Sequence, residues 1–355
     1  MSNFIYITVV QSFTTEFIIS YLKTKFIPVL TLCKWTGTSS KLRYKVKYRQ
    51  NQELKIIMKI ITGVGAAVLD HLNLIEAYPK EDGSTHITQI ICQGGGACAT
   101  AVVAAHRLGM HGQMISSVGD DETGKMILDG LDMEGIDTTM MEIIPDGISP
   151  HSEIMVNPET GTRTKFVCSN TLPPIEWNSD QISLLKNSDI LHVDGTRYDN
   201  AMAAIRYAKE FGIPVSVDGC HMEENKELNR RMACEADILI MNARYPKIVA
   251  NTETTEEALA YFASQGPKVV ISTQGTKGCL AWIDGAVEVF PAYSVKAVDS
   301  TGAGDVFHGA FLASYINDGD VRRAIRYATI AAALKCTQVG GRAGIPTDQE
   351  IVSYL

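Results

Sequence analysis

Two hydrophobic rhythms alternate along the chain from Met58. Short apolar runs have the length and β-branched content of buried strands: "IITGVG" (60–65), "GQMISSVG" (112–119), "DILHVDG" (189–195), "IPVSVDG" (213–219), "ADILIMN" (236–242) and "PKVVISTQG" (267–275). Between them lie helix-like stretches, "ACATAVVAAHRLG" (97–109), "TGKMILDGLDMEG" (123–135), "AMAAIRYAKEFG" (201–212) and "EEALAYFASQG" (256–266). Strands separated by helices predict βαβ units and a mostly parallel central sheet with helices on both faces, an α/β fold. The C-terminal part reads as helical over 303–316 and 320–335. Residues 70–92 and 151–168 break the rhythm, with alternating segments such as "THITQII" and "HSEIMV" and no helix between them. These predict a small antiparallel layer projecting from the main sheet, a candidate lid. "PETGTRT" (158–164) reads as its turn.

The first 57 residues do not share this pattern. They hold nine Lys or Arg against Glu16 and Glu53, a net +7, while the whole chain carries −8, which leaves −15 for the rest. No basic segment precedes an apolar one and no small-residue cleavage site follows, so the stretch does not read as a signal peptide. Gln11, Glu16, Lys23 and Lys25 interrupt its apolar run, so it does not read as a membrane span. The expectation is an N-terminal extension over 1–57, outside the core that starts near Met58. A membrane-surface or partner-binding arm is the rival reading. The acidic balance argues against nucleic acid as a partner. Eight cysteines with no C-x-x-C pair fit a reducing, cytoplasmic setting.

The chemistry concentrates in "KAVDSTGAGDVFHGAF" (296–311). The apolar run after it reads as a helix, which places Gly302, Ala303 and Gly304 at the helix start. The first amides of a helix have no internal partner and form the positive end of the macrodipole. Small side chains let an anion approach them. Asp305 then falls in the first turn. A carboxylate beside a bound phosphate makes sense as the acceptor of a proton from an attacking hydroxyl, since phosphoryl transfer asks mainly for positioning, charge neutralisation and a base. A glycine-rich helix entry with a stabilising Asp is the plain alternative for a shorter string.

"DSTGAGDVFHGAF" resembles the C-terminal signature D-T-x-G-A-G-D of the ribokinase-like, or PfkB-type, carbohydrate kinases, with Ser300 at the usual Thr. "QGGGACATAVVAAHRLG" followed by "SSVGDDETGKMILDGLDMEGID" resembles the family's N-terminal signature. The resemblance runs from Met58 to the C-terminus. It implies a ribokinase-like fold with a β lid, and ATP-dependent phosphorylation of a sugar hydroxyl. Asp305 matches the catalytic base, and Gly302, Ala303 and Gly304 the anion hole. Asp70 matches the acid that binds sugar hydroxyls, and Gly94, Gly95 and Gly96 the glycine segment lining the sugar pocket. "STQGTKGC" resembles the nucleotide-side T-x-G-x-x-G, giving Thr273, Gly275 and Gly278; without the family this would read as an ordinary hairpin. The loop 336–344 is expected near the nucleotide base. Mg2+ should accompany ATP, held largely by phosphates and water, and a monovalent cation would fit the family.

The sequence departs from the family at Val68, Thr100 and Tyr245, where Asn, Asn and Glu are common. Asn242 would open the magnesium-side element that Tyr245 interrupts, and is carried as a nucleotide-side residue. These changes bear on selectivity and leave phosphoryl transfer intact, with ketoses, keto acids and acidic or sulfonated sugars as acceptors in view. Arg163 in the lid is a candidate for an anionic substrate, against the plainer reading of a solvated charge. Asp194 and Asp218 end strands, where open α/β sheets place ligands. His308 is given no chemistry. A homodimer through the lid is expected, because exposed sheet edges need covering. The alternatives are a nucleoside kinase of the same family and a non-catalytic sugar- or nucleotide-binding regulator.

Overall fold

The computed structural model describes residues 3–9, 32–35, 42–48 and 58–355, apart from 158, 160, 161, 169 and 221–224. Gln11, Glu16, Lys23, Lys25 and part of the expected 158–164 turn fall outside the described residues. The chain divides into two units, Met1–Ile57 and Met58–Leu355. In the first, β1 (Asn3–Val9), β2 (Leu32–Trp35) and β3 (Leu42–Tyr48) form an antiparallel sheet in the order β1-β3-β2.

The second unit is built on eight strands: β4 (Ile60–Val64), β7 (His111–Ile115), β12 (Ile190–Val193), β13 (Val215–Gly219), β14 (Ile238–Met241), β15 (Val269–Thr273), β16 (Cys279–Ile283) and β17 (Ala286–Phe290). Their order is β17-β16-β15-β14-β13-β12-β4-β7. The six from β7 to β15 run parallel, and β16 and β17 close one edge antiparallel. Because strand side chains alternate, a sheet covered on both faces must be apolar on both. Within "ILIM", Ile238 and Ile240 face one core with Val102, Phe311 and Ile325, while Leu239 and Met241 face the other with Ile205 and Phe262.

The helices are α1 (Ala97–Arg107), α2 (Glu122–Met133), α3 (Ser179–Lys186), α4 (Tyr198–Glu210), α5 (Lys226–Cys234), α6 (Tyr245–Ala250), α7 (Thr255–Gln265), α8 (Ala303–Asp318), α9 (Val321–Lys335) and α10 (Asp348–Val352). Helix α8 is buried continuously from Val306 to Ser314, as a helix that is apolar all round must be. It lies directly against α1: a Cβ at Gly309 would overlap the carbonyl oxygen of Ala101.

The smaller layer contains β5 (Val68–Ile75), β6 (Ile87–Gly95), β10 (His151–Asn157) and β11 (Thr162–Val167), in the order β11-β10-β5-β6. It is not wholly antiparallel as expected. β5 and β10 run parallel, with Asp70 opposite Ser152, because the chain between them travels through α1, β7 and α2, a connection long enough for a parallel crossover. Leu72, Ile154 and Val156 form its own small core. Strands β8 (Ser117–Gly119) and β9 (Glu142–Ile144) pair parallel beside it.

Strand β4 has β7 on one side and β12 on the other, so the connections leave in opposite directions there. In an open α/β sheet this opens a crevice beyond the carboxyl ends of the strands.

Candidate active site

The turn at 299–305 is fixed from within. Asp299 accepts from the amide and hydroxyl of Thr301 (2.9 and 2.7 Å) and from the amide of Gly340 (2.8 Å), and its carbonyl accepts from Lys335 Nζ (3.0 Å). Burial opposes its ionisation, yet these donors and the Lys335 charge hold its carboxyl below the usual range. Gly302 caps α8 with φ 76°, and a Cβ there would sit 2.6 Å from the carbonyl oxygen of Gly341, so conformation and space both demand glycine. The Ala303 amide donates to Ser300 O at 3.2 Å, and Val306 N closes the first helical bond onto Gly302 O at 2.9 Å. Ala303 is therefore removed from the expected set of free donors. The amides of Gly302, Gly304 and Asp305 have no acceptor among the described residues. A Cβ at Gly304 would meet nothing within 4 Å, so open space adjoins these amides.

Asp305 follows, half-buried, in the first turn of α8. Burial, then the negative charges of Asp218 and Asp194, push its carboxyl up to about 7, against the opposing influence of His308 and Lys165. His308, three residues on and so on the same helix face, approaches Asp218 Oδ1 with its Nε2 at 3.2 Å. Burial works against the Asp218 charge, but the adjacent His308 holds that carboxyl below its ordinary value. His192 packs beside His308, rings 5.3 Å apart, and burial drives its pKa down to about 3. Asp194 Oδ2 accepts from the amides of Ala66 (2.9 Å) and Cys98 (3.1 Å), and Oδ1 from Thr196 N (2.9 Å). Its carboxylate is spent on joining the ends of β4 and β12 to the start of α1. Among the described residues no cluster of three or more His, Cys, Asp or Glu could hold a metal ion.

The lid meets this turn. Asp70 sits in β5, 5 % exposed, with no hydrogen bond to Oδ1. Burial raises its pKa. Lys165 Nζ on β11 lies 3.9 Å from that oxygen. Gly95 lies beside Asp70 so closely that a Cβ would overlap Oδ2. Gly94 faces Arg342 in the same way, and Gly96 is the N-cap of α1. Arg163, two residues before Lys165 and on the same strand face, donates from Nη1 to Ser300 Oγ at 2.7 Å, so the lid's arginine touches the signature at its one departure. The loop 336–344 packs against the turn and the glycine segment. It folds back on this region: Gly341 meets Gly302, Gly340 meets Gln93, and Arg342 reaches Gly95 O (2.9 Å) and Thr100 Oγ1 (3.4 Å).

The expected nucleotide-side residues lie at the end of β15 and in the turn after it. Thr273 ends β15 with Oγ1 donating to Met241 O at 3.3 Å. Gly275–Lys277 is a single 3₁₀ turn leading through Gly278 into antiparallel β16, so the segment is the hairpin its sequence allows. Asn242 follows β14. Its Oδ1 accepts from the amides of Arg244 (2.9 Å) and Tyr245 (3.0 Å) and its Nδ2 donates to Cys220 O (3.3 Å), so its side chain holds the entry to α6. Tyr245 is buried, with its hydroxyl donating to Asn229 O at 3.0 Å.

Sequence reasoning gave His308 no chemistry and passed over Lys165 and Arg342. His308 could have been found from its three-residue spacing to Asp305, and Lys165 from its two-residue spacing to Arg163. Nothing local marks Arg342, whose position depends on the chain folding back.

Comparison with known proteins identifies the family and the fold. The family described as pfkB family carbohydrate kinase matches residues 65–348. The chain is 29 % identical over 284 residues to the ATP-dependent ribose-1-phosphate kinase of Halopiger xanaduensis, covering 79 % of this chain and 93 % of that one. It is 26 % identical to the ribokinase of Haemophilus influenzae, covering 84 % and 98 %. The structure of Arabidopsis thaliana ribokinase complexed with ribose and ATP superposes with a TM-score of 0.73 at 22 % identity, over 84 % of this chain and 98 % of that one, which shows the shared fold. With a matched family spanning most of the chain and both signatures lying in one crevice, the protein belongs to the pfkB family of carbohydrate kinases.

Proposed function

We propose that this kinase transfers the terminal phosphoryl group of ATP to a sugar hydroxyl, with Asp305 as the general base. The observation that carries this reading is the pairing of Asp305 with the unengaged amides of Gly304 and its own residue, open space adjoining them. The acceptor's hydroxyls would be held by Asp70, whose buried Oδ1 lacks a hydrogen bond. As the hydroxyl oxygen bonds to phosphorus, its proton passes to Asp305 and the bond to the bridging oxygen of ADP breaks. The free amides stabilise charge on the moving phosphoryl group. A carboxyl titrating near 7 is suited to accept a proton at neutral pH.

Thr273, Gly275, Gly278 and Asn242 remain the residues for the nucleotide side. Mg2+ accompanying the nucleotide would be met through phosphate oxygens and water, because Asp194 already accepts three amides and Asp218 is paired with His308. Closure of the lid would exclude water from the reaction, with Arg163 bridging lid and turn through Ser300. The lid also exposes Ile90 and Phe166 on the face turned away from Asp70, an apolar surface suited to a second copy of the chain.

The test is ADP release over a panel of ketoses, aldoses, sugar acids, sulfosugars and adenosine, with products identified by mass spectrometry. A phosphorylated sugar supports the reading. Phosphorylated adenosine as the preferred product would make it a nucleoside kinase, and saturable binding without any phosphorylated product would contradict catalysis.

A further inference from the structure

Lys335 ends α9 with a side chain that is 0 % exposed. A lysine at a helix end ordinarily serves that helix's own last carbonyls or keeps its head in water. This one does neither. Its Nζ donates to Asp299 O at 3.0 Å, on the segment that leads into the reactive turn, and among the described residues it has no carboxylate within ion-pair distance. Burial lowers its pKa, with the Asp299 charge working the other way. The main chain beside it completes a clasp: the amides of Val298 and Asp299 donate to Cys336 O at 2.7 and 3.1 Å. The Asp299 carboxylate accepts from Thr301 and Gly340, so every polar group of Asp299 is engaged. Gly344 packs so closely behind that a Cβ would lie 2.4 Å from Lys335 O. A buried ammonium resting on a carbonyl carries a desolvation cost that an apolar side chain would avoid. What sets it apart is its place. The unengaged amides of Gly302, Gly304 and Asp305 follow directly on the segment it holds, and the Asp305 and Arg163 charges lie within its electrostatic reach.

We infer that Lys335 is a positioning residue for phosphoryl transfer, a cation tethered to the chain that holds the Asp299 carbonyl and so fixes the turn whose amides meet the phosphoryl group. The inference rests on the kinase reading above and deepens it. Positive charge set in place before the reaction stabilises negative charge that develops during it, without reorganisation at that moment. Because this cation is covalently attached, the turn needs no monovalent cation from solution.

The experiment reads kcat and KM from ADP release with the best acceptor among D-fructose, D-ribose, D-gluconate and adenosine. It is run in potassium, sodium or tetramethylammonium chloride at one ionic strength. The parent should not distinguish the three salts. Lys335→Met keeps the length of the side chain and removes its charge. It should lower kcat by about 10- to 10²-fold and leave KM for ATP within about twofold. Lys335→Ala should lose as much, and methylammonium or ethylammonium chloride should restore its turnover by about threefold or more where tetramethylammonium does not. Methylammonium should also raise the calorimetric Tm of Lys335→Ala and not that of the parent, a readout that needs no acceptor. A parent activated by potassium over tetramethylammonium would overturn the inference, and this arm decides even if neither variant folds. A Lys335→Met variant with parental kcat, or a folded Lys335→Ala variant that no small cation restores, would also overturn it. Each of these leaves the kinase reading standing. Absence of any phosphorylated product from the parent across the acceptor panel would contradict the kinase reading instead.

Discussion

Asp305 carries two separable consequences, one for rate and one for stability. As a base it must be ionised, so kcat/KM should rise with pH through a midpoint near 7 rather than near 4. A carboxyl raised in the folded state binds its proton more tightly there than in the unfolded chain. Its stabilising contribution is then complete below the unfolded value near 4, and is lost as pH rises through about 7. Asp305→Asn should therefore raise Tm at pH 8 relative to the parent and leave it nearly unchanged at pH 4, as read by differential scanning calorimetry. Gly304 offers the complementary case. A methyl group at this position meets no protein atom within 4 Å, so Gly304→Ala should fold with unchanged stability. It would place carbon where the phosphoryl group must come, and kcat/KM should fall by about 10²-fold; full activity would remove the turn from the mechanism. Removing His308 strands Asp218 in the interior. His308→Ala should cost roughly 3–5 kcal/mol in urea unfolding. The glycines and Asp305 were legible because their string is contiguous. His308 was legible only by its spacing from Asp305, its partner Asp218 lying far off on β13, and Arg342 was not legible, since its acceptors lie on β6 and α1, distant in sequence.

At the scale of elements, the active site depends on how closely α8 approaches α1. The Ala-rich face of α1 and Gly309 of α8 leave no room between them: a Cβ at Gly309 would lie 2.7 Å from Ala104 Cβ and 2.9 Å from Ala105 N. Gly309→Val should destabilise by roughly 1–3 kcal/mol and shift the N-terminus of α8, lowering kcat more than it raises KM for ATP, as measured by equilibrium unfolding and steady-state kinetics. The parallel strands and their helices were readable from the two hydrophobic rhythms, down to a residue or two at α1, α8 and α9. The lid was readable as strands but not as a mixed sheet. Alternation along β5 and β10 fixes which faces are buried, whereas the direction of pairing is set by the path between them, which local sequence does not encode. The contacts of the loop 336–344 were unreadable for the same reason: Gly340 and Gly341 carry no address until they meet Gln93 and Gly302.

For the whole molecule, the unit Met58–Leu355 contains both signatures, the sheet, the lid and every residue of the proposed site, while Met1–Ile57 forms a unit of its own. A chain beginning at Met58 should keep kcat/KM within about twofold of the full-length protein. A larger loss would give the N-terminal unit a role in catalysis. The exposed apolar face of the lid predicts a dimer in sedimentation equilibrium, which Phe166→Lys should dissociate. The account as a whole rests on a carboxylate at the start of α8 taking the acceptor's proton. Single-turnover phosphorylation by Asp305→Asn, with ATP binding followed in parallel, tests it most directly. The account predicts a fall of about 10²- to 10⁴-fold in the rate of phosphoryl transfer with nucleotide affinity nearly unchanged; transfer at close to the parental rate would contradict it.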